Sequence, residues 1–159
     1  MMPSLDKFDR GILEIMQQSN RTTSDVIAES VGLSAAAVQR RIKRMREEGI
    51  IEADISVVSQ EAVGRPMTFI VQITMERERS DLLDEFKRRM KTNPQVQQCY
   101  YVTGSSDFVI IMTAADMSAY EEFTKEFFFD DSNIKHFYTS VVMSSVKTGC
   151  YIPVGESED

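Results

Sequence analysis

Apolar positions in the first third of the chain recur at helical spacing: Leu5, Phe8, Ile12, Ile15 and Met16 share one face, then Val26, Ile27 and Val31, then Val38, Ile42 and Met45. Three short helices are expected between residues 5 and 48. Gly64-Arg65-Pro66 breaks the pattern, and beyond it the period changes. Met67–Met75, Val96–Thr103, Phe108–Thr113 and Phe137–Val146 are rich in β-branched and aromatic residues and read as strands. Between the first and second lies Ser80–Thr92, with Leu82, Leu83, Phe86 and Met90 on one side. Between the third and fourth lies Met117–Phe128, with Tyr120, Phe123, Phe127 and Phe128. The order β-α-β-β-α-β is that of a ferredoxin-like domain, an antiparallel sheet with both helices on one face. The run Phe108-Val109-Ile110-Ile111-Met112 does not alternate, so its sheet has apolar residues on both faces, and a second copy of the chain is the simplest cover for the free one.

Local signals sharpen the first part. Ser24 is placed to cap the second helix; Val31-Gly32-Leu33-Ser34 ends it, with Gly32 supplying a left-handed turn and Ser34 capping a third helix that runs to Glu48 and stops at Gly49. This is helix-turn-helix grammar. At about 100° per residue, Val38, Ile42 and Met45 of the third helix face inward, while Ala36, Gln39, Arg40, Lys43 and Arg44 face away and Arg41 and Arg46 sit at the edges. A face that starts small and turns basic suits a helix whose first turns enter a DNA major groove and whose later turns meet phosphates. Gln39 can bond adenine through its amide, and Arg40 can bond guanine or phosphate.

The chain of 159 residues carries a net charge of -7, which on totals argues against a phosphate-rich partner. Partition removes the objection: residues 1–52 hold 8 basic and 8 acidic groups, and residues 53–159 hold 10 and 17. Five cations crowd into Gln39–Arg46 without an acid among them. The hydrophobic fraction of 42% is that of an ordinary globular protein. Two cysteines, Cys99 and Cys150, without Cys-x-x-Cys spacing, and a start without an export signal, place the expected protein in the cytoplasm, with no membrane partner. His136, the single histidine, lacks partners for a metal or catalytic site, and no phosphate-binding glycine motif occurs, so neither metal, cofactor nor enzymatic activity is expected.

The sequence resembles the Lrp/AsnC (feast/famine) family of transcription regulators over residues 5–152. The resemblance is carried by Leu5-Asp6-Lys7-Phe8-Asp9-Arg10-Gly11-Ile12-Leu13, Val31-Gly32-Leu33-Ser34, Arg41-Ile42-Lys43-Arg44-Met45 and Gly49-Ile50-Ile51, then Val102-Thr103-Gly104, Asp107, Asp116-Met117-Ser118-Ala119-Tyr120 and Val141-Val142-Met143. No single element is diagnostic, but the order and spacing over two domains are specific. The resemblance implies an α+β protein: a winged-helix-like helix-turn-helix domain at 1–50, a connecting hairpin or linker at 51–66, a ferredoxin-like effector-sensing and oligomerisation domain at 67–152, and an acidic tail at 153–159. It implies a homodimer, assembling further into tetramers or octamers, on pseudo-palindromic half-sites of double-stranded DNA. The expected DNA-contacting residues are Ser34, Ala35, Ala36, Gln39, Arg40, Arg41, Lys43 and Arg44.

Thr103, Gly104, Ser105, Ser106 and Asp107 correspond to the family's effector loop, whose usual pattern is glycine, acid, aromatic, acid; here the middle pair is Ser105-Ser106. Backbone amides beside Gly104 can bind a carboxylate, and Asp107 can receive an ammonium, so an amino acid or related metabolite is the expected effector. A plain strand-joining turn, with Asp107 bonding backbone, is the competing reading. An effector-independent architectural DNA-binding protein is the alternative at the level of function.

Overall fold

The computed structural model describes residues 5–155 and divides the chain into two compact units: residues up to Ser56 together with those from Lys147 on, and Val57–Val146.

The first unit contains α1 (Lys7–Gln18), α2 (Ser24–Val31) and α3 (Ala35–Glu47) around a core of Ile12, Leu13, Ile27, Ala28, Val38, Ile42 and Met45. Each helix starts on a side-chain cap. Asp6 accepts from the Asp9 backbone at 2.8 Å while Asp9 reaches back to the Asp6 amide at 3.3 Å, a reciprocal box. The cap of α2 is Thr23, whose hydroxyl accepts from Val26, rather than the expected Ser24; the helix begins one residue earlier than a Ser24 cap would allow. Gly32 ends α2 at φ 74°, and Ser34 accepts from the Ala37 amide at 3.2 Å to open α3. A side chain at Gly32 would be strained by its backbone alone.

Residues 52–59 form no helix or strand, and a turn occupies 60–64. The expected connecting hairpin is not formed among the described residues: Ile55, Val57 and Val58 are exposed and no strand there pairs with them.

The second unit contains β1 (Met67–Met75), α4 (Ser80–Thr92), β2 (Val96–Tyr101), β3 (Phe108–Ala114), α5 (Met117–Thr124) and β4 (Ile134–Val141). All pairings are antiparallel, in the order β2-β3-β1-β4. Phe69, Val71, Ile73 and Met75 alternate into a core with Phe108, Ile110, Met112, Leu83, Phe86 and Met90. Phe69 and Tyr120 stack with ring centroids 4.0 Å apart, tying α5 to the sheet centre. The opposite face carries Ile70, Gln72, Val109, Ile111, Tyr100 and Tyr138, a mixture of apolar and polar side chains that no element of this unit covers.

Three boundaries differ from expectation. The second helix becomes a wider π-helical turn over Lys125–Phe129. The second strand ends at Tyr101 instead of Thr103. The last strand runs 134–141 instead of 137–146: Val142 makes one more bond to Thr68, and two residues further the opposite position is Pro66, which has no N–H to give. Residues 147–155 lie with the first unit, and Cys150 is not on a strand. The tail residues 156–159 fall outside the described residues.

Candidate nucleic-acid interface and effector loop

The third helix presents two kinds of cation. Ala36, Gln39, Arg40 and Lys43 are exposed, as is Ser34 at the cap. Lys43 has only Glu47 near it, at 3.8 Å, and Arg40 has no carboxylate within 4.0 Å among the described residues. Arg41 and Arg44 point toward α1. Arg41 donates to Asp6 and Asp9, both at 2.8 Å, and lies over the Phe8 ring; Arg44 donates to Asp9 at 2.6 Å. Asp9 is 1% exposed. A buried carboxylate needs such partners, since an isolated one would not stay ionised. Arg46 is held by Asp54 at 2.9 Å.

The expected arc placed Arg44 among the outward residues, and there the structure differs. A helical wheel does not know that α1 brings an acid to one flank of α3. Hydrogen bonding to Asp9 holds the Arg41 guanidinium above its ordinary pKa. Burial opposes ionisation of Asp6, but the Asp9 amide and Arg41 outweigh it and hold the Asp6 carboxyl below its ordinary value. A groove of about 440 Å³ beside α3 is lined by Arg40, Arg41, Lys43, Arg44 and Glu47.

Sequence reasoning did not find Asp6 and Asp9 as part of this arrangement. Their spacing of three at a helix start reads as a cap, which they are; their second role depends on a contact more than thirty positions away.

In the second unit, the loop between β2 and β3 is closed by Val102 donating to the Asp107 carbonyl at 2.8 Å. Gly104 sits at φ 136°, a conformation other residues rarely adopt, and Thr103, Gly104 and Ser105 are exposed. Asp107 is built into the sheet: its amide donates to Ile73 at 2.9 Å, and its carboxylate accepts from the Met75 amide at 2.7 Å, where the β1–β4 register shifts. The residues expected to bind an effector are therefore adjacent, and one Asp107 oxygen is already engaged by backbone.

Cys99 is half-buried, and burial pushes its thiol up. Among the described residues no three histidine, cysteine, aspartate or glutamate side chains gather as metal ligands, and no helix is long and apolar enough to cross a membrane.

A capped three-helix unit with exposed amide and cationic groups on its last helix, followed by a helix-backed sheet with a glycine loop, defines the class of two-domain DNA-binding transcription regulators with a ligand-binding domain. Residues 5–52 match the winged helix-turn-helix DNA-binding family and residues 68–152 the Lrp/AsnC ligand binding domain. The chain belongs to the Lrp/AsnC family. It is 50% identical to an uncharacterized HTH-type transcriptional regulator of Sinorhizobium fredii over 94% of this chain and 89% of the relative. It is 27% identical to the leucine-responsive regulatory protein of Escherichia coli over 90% of this chain and 87% of that one. Its fold matches a transcriptional regulator of Neisseria meningitidis solved with L-Met, at a TM-score of 0.88 and 25% identity, covering 94% of this chain and 97% of the other.

Proposed function

We propose that this regulator recognises specific duplex sequences by setting the first turns of α3 in the major groove, with Ser34, Ala35 and Ala36 allowing close approach, Gln39 and Arg40 at base edges, and Lys43 at phosphate. The observation that carries this reading is the division of labour on α3: Arg41 and Arg44 are held by acids of α1, whereas Gln39, Arg40 and Lys43 are exposed. Arg41 and Arg44 then hold the reading helix in place instead of contacting DNA directly. Two copies, joined through their C-terminal domains, would address paired half-sites.

The second part of the proposal is an amino-acid or related effector at Thr103–Asp107. The exposed loop, the open backbone at Gly104 and the L-Met complex of the Neisseria relative support it. Ser105 and Ser106 would supply hydroxyl groups where the family pattern has an acid and an aromatic.

A gel-shift titration on the gene's own upstream region, at two salt concentrations and against random duplex, tests the first part. Preference for the upstream region supports regulation, uniform binding supports the architectural alternative, and no binding at low salt defeats both. Thermal shift against the twenty amino acids tests the second; a ligand at about 100 times its dissociation constant adds about 2.7 kcal/mol, and a flat panel defeats the effector proposal.

A further inference from the structure

The chain crosses between its units twice, after Ser56 and after Val146, and the returning segment binds the outer side of α1. Arg10, Glu14 and Gln17 form one stripe there, at i, i+4 and i+7. The Gln17 carboxamide clamps both backbone groups of a single residue of the segment: its amide donates to the Ile152 carbonyl at 2.9 Å, and its oxygen accepts from the Ile152 N–H at 2.8 Å. The Tyr151 hydroxyl donates to the Glu14 carboxylate at 2.7 Å, Arg10 donates to the Val154 carbonyl, and Val154 packs against the helix-turn-helix core. Among the described residues buried Arg10 Nε has no partner of its own, so this docking leaves one polar group unsatisfied there.

The two connections are equally short. From Ile51, whose amide bonds Met45, to Gln60, whose side chain bonds Thr68, is nine residues; from Val142, whose amide bonds Thr68, to Tyr151 is also nine. Neither spans more than about 30 Å. Both connections start at Thr68 in the ligand-binding unit but end at different points of the reading unit, Met45 and Glu14, so the second removes rotational freedom that a single tether leaves. The contacts themselves are largely exposed and individually weak, but tethering supplies an effective concentration on the order of millimolar, enough to keep them made and still permit release.

We propose that the Arg10–Glu14–Gln17 stripe is a docking site for the chain's own residues 147–155, and that this strap is a second tether restricting the reading unit's excursion from the ligand-binding domain. In an oligomer it would narrow the range of separations open to two reading helices. The functional arm rests on the DNA-binding proposal above.

The test uses the full chain and Gln17→Ala, which removes both bonds to Ile152 with a good helix former. Hydrogen–deuterium exchange of the peptide spanning 147–155 should be faster in the variant. On an operator selected from random duplexes, affinity for the paired site should fall about tenfold while affinity for a single half-site stays unchanged, with oligomer size constant by light scattering. Unchanged exchange overturns the strap. Equal losses on both duplexes, no loss on either, or a changed oligomer size overturns the tether. If the unaltered protein binds no duplex, the regulator proposal fails separately, and exchange alone then decides for or against the strap. Tyr151→Phe provides a second variant should Gln17→Ala not fold.

Discussion

Arg44 of α3 donates to Asp9 of α1 at 2.6 Å, and Asp9 is almost fully enclosed. The same carboxylate also takes Arg41 at 2.8 Å and helps close the cap of its own helix. One acid thus serves both the start of α1 and the seating of α3.

Replacing Asp9 with Asn should destabilise the first unit by about 2 kcal/mol, within the range for hydrogen bonds to charged groups, because both guanidinium groups can turn toward water once released. Urea denaturation measures this. An unchanged midpoint would show that the pair contributes nothing net.

Arg40→Ala and Lys43→Ala should weaken specific DNA binding without lowering the melting temperature, since neither holds another element. A lost base contact costs about 1 to 3 kcal/mol. For Lys43→Ala the slope of log affinity against log salt should fall by about 0.9 per reading unit. Arg41→Ala should show the reverse order, losing stability before affinity. If Arg40→Ala and Lys43→Ala both bind as the unaltered protein does, the α3 face is assigned wrongly.

Acid titration should expose the Asp6–Arg41 tie. The folded Asp6 carboxyl lies below its ordinary value of 3.8, so its contribution is complete above that value and fades as pH falls through the folded pKa. The stability gap between the unaltered protein and Asp6→Asn should be constant from about pH 5 to pH 8 and close in stronger acid. A gap that varies across neutral pH would implicate another group.

In the loop between β2 and β3, Asp107→Ala should cost about 1 to 2 kcal/mol by leaving the Met75 amide without its acceptor. Gly104→Ala should cost about 1 kcal/mol from backbone conformation alone, as the space around it is open. Ser105→Ala and Ser106→Ala should leave stability unchanged, which makes them the clean variants for testing ligand effects by thermal shift.

Iodoacetamide at neutral pH should modify Cys150 well before Cys99, because Cys150 is exposed whereas burial raises the Cys99 thiol and shields it. Mass spectrometry of tryptic peptides gives the order, and equal rates would contradict the burial of Cys99.

What could be read from the sequence is what short-range chemistry decides. Gly32 and Ser34 act within three residues of themselves, so the turn and the cap of α3 are visible in the letters; the core stripes of α1 and α3 follow from a period of 3.6. Thr23 and Ser24 are adjacent hydroxyls, and only backbone geometry chooses between them. The end of β4 is decided by Pro66, just before β1, the roles of Arg41 and Arg44 by acids at the start of another helix, and the engagement of Asp107 by the Met75 amide. Residues 147–155 carry no period at all, and Gln17 meets Ile152 across 135 positions. Each of these outcomes depends on tertiary neighbours that spacing along the chain does not encode.

The return of the chain to α1 also bears on how such a gene can be cut and rejoined. The helix-turn-helix unit is discontinuous: its packing includes Val154, encoded after the whole sheet domain, so in topological terms the ligand-binding domain is an insertion within the helix-turn-helix domain. A recombination event that swaps everything after residue 56 would exchange the ligand-binding domain and, with it, the segment that covers Arg10 and Gln17 of the helix-turn-helix unit. Compatible exchanges must therefore match the last nine described residues to the first helix, a constraint on domain shuffling that a boundary drawn once along the sequence would miss.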